Sequence, residues 1–136
     1  MNSKMGHVEP DTRFVLDASS GVPVYRQLIE QIENAVVSGR LQSGDRLPTI
    51  RALSVALKIN PNTIAKAYNE LEIRGILNTQ VGSGTFIAAK TAEADHDRRQ
   101  AKINEALGRF LREMSGLGLS KEELIRLVEL YKGADS

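Results

Sequence analysis

Cysteine is absent from this chain of 136 residues, which excludes a disulfide framework, a thiolate metal site and a thiol nucleophile. No apolar run approaches the ~20 residues that a membrane-spanning helix needs. Residues 1–7 also lack the apolar centre of a signal peptide. We therefore expect a cytoplasmic protein.

Catalytic motifs are missing as well. The two histidines, His7 and His96, lie far apart in polar segments. Asp95 and Asp97 flank His96, but no second His or Cys is near. The chain has no P-loop and no nucleophile motif. We expect no enzyme activity, no cofactor and no bound metal.

The net charge is low, at +1, but the charges are unevenly distributed. Residues 21–90 carry eight Lys and Arg against five Asp and Glu, whereas the segments on either side each carry one net negative charge. The positive excess lies where phosphate binding would require it, although an excess of this size does not by itself predict a nucleic-acid partner.

Two short helices with a tight break between them are predicted for the segment from Pro48 to Gly75. Thr49 is placed to cap the first helix, Asn60 to cap the second, and Pro61 suits the first position of a helix. The helical spacing gives each helix one apolar face, formed by Ile50, Leu53 and Leu57 and by Ile64, Ala67, Tyr68 and Leu71. Gly75 can adopt the left-handed conformation that ends a helix. This pattern is typical of a helix-turn-helix.

The outer face of the second helix carries Asn62, Thr63, Lys66, Asn69 and Glu70. The first three lie in the opening turns, the part of such a helix that reaches base edges in a major groove. Asparagine can pair with adenine, threonine with a polar edge or a thymine methyl group, and lysine with guanine or a phosphate. A plain solvent-exposed helix face is the alternative interpretation.

A β-hairpin is predicted directly after this helix. Two β-prone runs, Ile76–Val81 and Thr85–Ala88, flank a turn made of Gly82, Ser83 and Gly84. A hairpin in this position is the wing of a winged helix-turn-helix, and it favours double-stranded DNA as the partner.

Five stretches of the sequence carry a resemblance to a known family. They are PVYRQL at 23–28, SGRL at 38–41, GDRLPTIR at 44–51, NPNTIAKAY at 60–68 and GSGTF at 82–86. Because these five stretches occur in the order and spacing of the family, residues 23–88 resemble the winged helix-turn-helix domain of the GntR family of bacterial transcriptional regulators. The short remainder is similar to the YtrA-like subgroup, whose members have no large effector domain.

The resemblance implies DNA contacts at the starts of both helices of the motif and at the wing. The candidates are Thr49, Arg51, Asn62, Thr63, Lys66, Gln80, Gly82, Ser83 and Gly84. Arg51 lies at a helix N-terminus, where the dipole disfavours a cation, so DNA or a carboxylate such as Asp45 should balance its charge. Some family members have an arginine where this chain has Pro61 or Ala65, so this helix is not expected to contact guanine through an arginine fork.

The segments before the motif are expected to support it. Residues 1–13 are polar and unpatterned, which predicts a mobile tail, and Phe14–Leu16 is an apolar run that can pair as an edge strand. A support helix is predicted from Pro23 to Gly39, and residues 41–47 are predicted to form a connecting loop. The apolar stripe of the support helix contains Tyr25, Leu28, Ile29, Ile32 and Val36.

After the wing, we predict a polar linker at residues 89–94 and a helical hairpin at residues 95–133. Ser115–Leu119 separates the two helices, and the pair Ser120 and Glu123 forms a capping box for the second. The dimerisation surface is predicted to be an apolar stripe of Ile103, Leu107, Phe110, Leu111, Met114, Leu124, Leu127, Val128 and Tyr131. A helical pair of about 40 residues is too small to be stable alone. The stripe should pack on its own winged-helix domain or on a second copy of the chain, and we expect the second copy.

The predicted fold class is therefore mainly α with a small β-hairpin: a winged helix-turn-helix domain at 14–88, followed by a C-terminal helical hairpin for dimerisation. We predict a sequence-specific transcriptional regulator, a repressor that binds a palindromic operator as a homodimer. Two alternatives stay open. One is a winged helix that binds another protein, and the other is a regulator that senses a small effector molecule at its dimer interface.

Overall fold

The computed structural model describes residues 13–89 and 92–133. After a short 3-10 helix, Ala18–Ser20, its elements are α1, Val24–Val37; α2, Ile50–Leu57; α3, Pro61–Ile73; β1, Leu77–Gln80; β2, Gly84–Ile87; α4, Ala92–Gly116; and α5, Lys121–Leu130. The mainly helical fold with one small hairpin is confirmed. The chain divides into two units, Met1–His96 and Asp97–Ser136. The tail predicted for residues 1–13 lies outside the described residues except for Arg13, and so does His7.

Helix α1 supports the first unit and packs against α3. Its apolar stripe is buried as the spacing predicts, and Tyr25 at its first turn is half-buried. An ion pair of 3.6 Å between Glu33 of α1 and Arg74 after α3 links the ends of the two helices. The core of the unit contains Phe14, Leu28, Ile29, Ile32, Ala35, Val36, Leu41, Leu47, Leu53, Ile64, Ala67, Tyr68, Leu71, Ile76, Leu77 and Ile87.

The caps of α2 and α3 form as the sequence predicts. The Thr49 hydroxyl accepts a hydrogen bond from the backbone N–H of Ala52 at 3.0 Å. The Asn60 side chain accepts one from the N–H two residues later at 2.8 Å. Between the helices, Lys58 takes the left-handed conformation, with φ of 58°. Within residues 13–89 and 92–133, every other residue with a positive φ is a glycine. These caps orient α3 relative to α2 over a break of three residues.

The two helices of the motif are buried to different extents. All four apolar residues predicted for the face of α3 are buried. On α2, Leu53 is buried and Leu57 is half-buried, but Ile50 is 37% exposed. Ile50 lies on the predicted apolar face but outside the core, because this helix of eight residues is buried only over the turn between Leu53 and Leu57.

Tyr68 links α3, which is the predicted recognition helix, to the segment just before α2. Its hydroxyl donates a hydrogen bond to the backbone carbonyl of Pro48 at 2.7 Å, and its side chain is buried at 6% exposure. Burial disfavours the phenolate, so the pKa of Tyr68 is raised above its ordinary value of 10.0.

The change Tyr68→Phe should lower the free energy of unfolding by about 1–2 kcal/mol, because the Pro48 carbonyl loses its partner. The native state holds the phenol proton more tightly than the unfolded chain does. The stability from this group is therefore present below about pH 10 and is lost as the pH rises further. Urea unfolding at pH 7 and above pH 10 measures both effects. Equal loss of stability above pH 10 in the wild type and in Tyr68→Phe would contradict this account.

The β-structure of the wing includes one segment more than the two strands that the sequence predicts. Strands β1 and β2 pair antiparallel, with Gln80 opposite Gly84. Residues 41–47, predicted as a connecting loop, contribute a β-bridge between Arg46 and Phe86. Backbone hydrogen bonds continue this pairing on both sides of the bridge. The segment before α2 therefore lies beside β2 in the manner of a short third strand.

The predicted edge strand Phe14–Leu16 does not form. Phe14 is buried in the core at 7% exposure. The backbone N–H of Val15 donates to the side-chain oxygen of Gln31 at 3.0 Å, and the Val15 carbonyl accepts from the same carboxamide. The strand prediction is wrong because a glutamine of α1 supplies the hydrogen bonds that a neighbouring strand would supply.

The second unit contains most of α4 and all of α5. The capping box is confirmed: the Ser120 hydroxyl accepts from the Glu123 N–H at 3.2 Å, and the Glu123 carboxylate accepts from the Ser120 N–H at 3.0 Å. Helix α4 already begins at Ala92, inside the stretch predicted as a linker, whose residues 90 and 91 lie outside the described ranges. Helix α5 ends at Leu130, so Tyr131 lies just beyond the helix that was predicted to include it.

None of the described helices combines the length and the apolar character needed to span a bilayer.

Candidate nucleic-acid interface

Thr49 and Arg51 lie at the start of α2. The Thr49 oxygen accepts the capping hydrogen bond, so its proton remains available to donate. The Arg51 side chain is exposed, and no ion pair within the described residues includes it. Asp45, the carboxylate considered as its partner, instead accepts from the backbone N–H of Gln42 at 2.8 Å. The structure therefore leaves the Arg51 charge available to an anion outside the chain.

The start of α3 presents Asn62, Thr63 and Lys66. Asn62 is exposed, Thr63 is half-buried, and Lys66 lies one helical turn after Asn62 on the same face. The Lys66 ammonium does not extend freely. Its Nζ lies 3.9 Å from the centroid of the Tyr25 ring on α1, which is a cation–π contact. Tyr25 thus holds the charge of Lys66 beside the first turn of α1.

The wing tip is formed by backbone and small side chains. Gly82 and Gly84 have φ of 82° and 128°, in the range that favours glycine. The Ser83 N–H donates to the carbonyl of Gln80 at 2.9 Å and closes the turn. Gln80 and Ser83 are exposed, and Val81 between them is 100% exposed. Because Gly82 and Gly84 have no side chains, the backbone of the turn can approach another molecule closely at these two positions.

The fold brings these three groups into one unit. Helix α3 packs against α2 and also contacts β1 of the wing. Sequence reasoning did not select two further residues that the structure places with them. Tyr25 contacts Lys66, and Arg46 lies against Gly84 of the wing. Both contacts join residues far apart in the sequence, so no local pattern indicates them.

The residues predicted for dimerisation lie on α4 and α5 or, for Tyr131, just after α5. Leu124 is buried within the chain at 8% exposure, and Met114 is half-buried. The exposed members of the stripe range from 39% for Leu111 to 68% for Tyr131, and include Ile103, Leu107, Phe110, Leu127 and Val128. The stripe is therefore open in the single chain.

Within the described ranges, which include His96, no group of three or more His, Cys, Asp or Glu is placed to hold a metal ion.

Comparison with known proteins identifies the family. Residues 24–87, from the start of α1 to the end of β2, match the bacterial regulatory proteins of the gntR family. The uncharacterized HTH-type transcriptional regulator YhcF of Bacillus subtilis is 39% identical over 112 residues, which cover 82% of this chain and 92% of YhcF. This chain belongs to the GntR family.

Two further similarities extend the comparison beyond the winged helix. The HTH-type transcriptional repressor YtrA of Bacillus subtilis is 34% identical over 80% of this chain and 84% of YtrA. The structure of a GntR family transcriptional regulator from Listeria monocytogenes superposes with a TM-score of 0.72, at 32% identity over 84% of this chain and 99% of that one. The GntR-family chain described here is thus a DNA-binding transcriptional regulator. The family therefore favours DNA as the partner over the alternative of a winged helix that binds another protein.

Proposed function

We propose that this GntR-family protein is a repressor that binds a palindromic operator as a homodimer, with one winged helix on each half-site. One observation carries the proposal. The apolar stripe of α4 and α5 is open in a chain whose other unit contains all the elements of a winged helix.

The open stripe supplies a gain that is comparable with the cost of association. Fully burying a large apolar side chain stabilises by about 1.5–3 kcal/mol. Ile103, Leu107, Phe110 and Leu111 are each 39–51% exposed. Two copies bring eight such side chains, and at about half of the full value they supply roughly 9 kcal/mol. This is within the range of about 4–15 kcal/mol that association costs, and Leu127 and Val128 of α5 add further area.

A dimer of this kind predicts the symmetry of its operator. Most homodimers have two-fold symmetry, so their two recognition helices face half-sites of opposite orientation. The half-sites are expected to lie about 34–36 Å, or a multiple of this distance, from centre to centre. Repression then needs only occupancy of the operator, which excludes polymerase. The relative YtrA, described as a repressor, supports this direction of regulation.

The candidate residues divide into two roles. We expect Asn62 and Thr63 to contact base edges, and Arg51 and Lys66 to contact phosphates. For Lys66 the magnitudes favour the phosphate. An exposed cation–π contact contributes about 0.5–1 kcal/mol, and a hydrogen bond between charged groups about 1.5–3 kcal/mol. We therefore expect Lys66 to leave the Tyr25 ring for a phosphate nearby.

Selection of bound duplexes from random DNA tests the operator and its symmetry together. We expect the enriched sequences to contain two inverted copies of one short motif at a fixed spacing. Sedimentation of the free protein at micromolar concentration should show a dimer. A single enriched half-site without an inverted copy, or a monomer in sedimentation, would contradict the homodimer. Transcription in vitro from a promoter overlapping the selected site should fall when the protein is added.

A further inference from the structure

We propose that Arg46 is the cation with which the wing holds a phosphate of the DNA backbone. This inference deepens the DNA-binding function and rests on it. Arg46 precedes α2 in the sequence and belongs to neither strand of the hairpin. We group it with the wing because its backbone pairs with β2 in the fold.

The wing has no charged side chain of its own. From Ile76 to Ala89 the sequence contains no Lys, Arg, Asp or Glu. Phosphate contacts dominate the affinity of proteins for DNA, and Lys and Arg side chains make most of the charged ones. A wing that approaches the backbone of the duplex therefore needs a cation from another segment.

The structure brings Arg46 to this position through backbone pairing. Arg46 forms a β-bridge with Phe86, and the Leu47 N–H donates to the carbonyl of Thr85 at 2.9 Å. The backbone of Arg46 is thereby fixed beside β2. Its side chain extends from the bridge towards Gly84, two residues earlier on that strand and at the end of the turn.

The guanidinium lies directly against Gly84. A Cβ atom built on Gly84 would lie 2.8 Å from Nε, 3.2 Å from Nη2 and 3.3 Å from Cζ of Arg46. No non-glycine residue fits here without displacing the arginine. Gly82, on the other side of the turn, differs, because a Cβ built there meets nothing within 4 Å. Gly84 thus provides the surface on which the guanidinium rests, in addition to its φ of 128°.

The charge of Arg46 has no partner within residues 13–89 and 92–133. Its side chain is exposed, and it appears in no ion pair or side-chain hydrogen bond there. The preceding carboxylate, Asp45, accepts from the Gln42 N–H instead. The planar, always-charged guanidinium keeps its donors free for bidentate contact with phosphate oxygens.

The test compares Arg46→Met with the wild type on the selected operator and on an unrelated duplex, over a series of salt concentrations. A lost phosphate contact should weaken binding to both duplexes about tenfold. The slope of log affinity against log salt should fall by about one unit. Arg46→Lys keeps the charge and should retain the wild-type slope. Thermal unfolding checks that each variant is folded.

A double-mutant cycle tests the contact with Gly84. Gly84→Ala displaces the guanidinium, so it should weaken binding less in the Arg46→Met background than in the wild type. Gly82→Ala is the matched control. It also places a side chain at positive φ, but without meeting Arg46, and its effect should be the same in both backgrounds.

Two results would overturn the inference while DNA binding itself stands. One is an Arg46→Met protein with wild-type affinity and salt slope, in an assay where changes at Arg51 and Lys66 do weaken binding. The other is full additivity between Arg46→Met and Gly84→Ala. Failure of the wild type to bind either duplex would instead remove the DNA-binding function, and the inference with it.

Discussion

Replacing Leu107 and Phe110 together with aspartate is expected to turn the dimer into a monomer and to weaken binding to a full palindrome by ~10²–10⁴-fold. Both side chains lie on the open stripe of α4, at 51% and 40% exposure. In the dimer each aspartate would be an unpaired charge in an apolar interface, which is strongly unfavourable. Without the link between copies, each winged helix binds its half-site alone and loses the gain in effective concentration.

Sedimentation and operator titration of the variant measure the two effects independently. Ala101→Asp combined with Arg109→Gln is the matched control, since it changes the charge of α4 by the same amount at exposed positions off the stripe. This control should remain a dimer with wild-type affinity. Affinity for a single half-site should be the same in all three proteins. A dimeric Leu107→Asp, Phe110→Asp protein would show that the stripe is not the interface.

Truncation before Ala94 provides a second route to the monomer. The core of the first unit contains residues from Phe14 to Ile87 and none from later in the chain. We therefore expect the fragment to fold, to be monomeric and to bind a palindrome with the weak affinity of one half-site. A dimeric fragment would place the interface on the winged helix and would contradict the proposed role of α4 and α5.

Replacing Arg51 and Lys66 together with alanine is expected to weaken operator binding about 100-fold, because each removes one charge-assisted contact worth about tenfold. Neither side chain belongs to the core, so the fold should be retained. If both contact phosphates, the loss should be similar on unrelated DNA, and the salt slope should fall by about two units. If either contacts a base edge, the loss of ~1–3 kcal/mol should be confined to the operator.

Titrations at several salt concentrations distinguish these outcomes. Arg109→Ala with Arg112→Ala removes the same charge from the exposed side of α4 and should leave affinity and slope nearly unchanged. Equal affinities for the wild type and the Arg51→Ala, Lys66→Ala protein would refute the assignment of this face. Asn62→Ala and Thr63→Ala, each tested alone, then show which bases the recognition helix reads.

The sequence by itself predicts the elements that short-range interactions determine. The caps at Thr49, Asn60 and Ser120 each join atoms no more than three residues apart. The apolar spacing of α1 and α3 and the glycine turn of the wing are equally local. These patterns, with the family resemblance they carry, are enough to predict a winged helix-turn-helix and the exposed face of its recognition helix.

Tertiary structure decided the features that depend on residues far apart in the chain. Arg46 lies on the wing only because its segment pairs with β2 at Phe86, and Lys66 meets Tyr25 only because α3 packs on α1. Phe14–Leu16 has the composition of a strand, yet the Gln31 side chain takes its hydrogen bonds. The physical reason is the same in each case: hydrogen bonds and packing across the fold select among local conformations that the sequence permits.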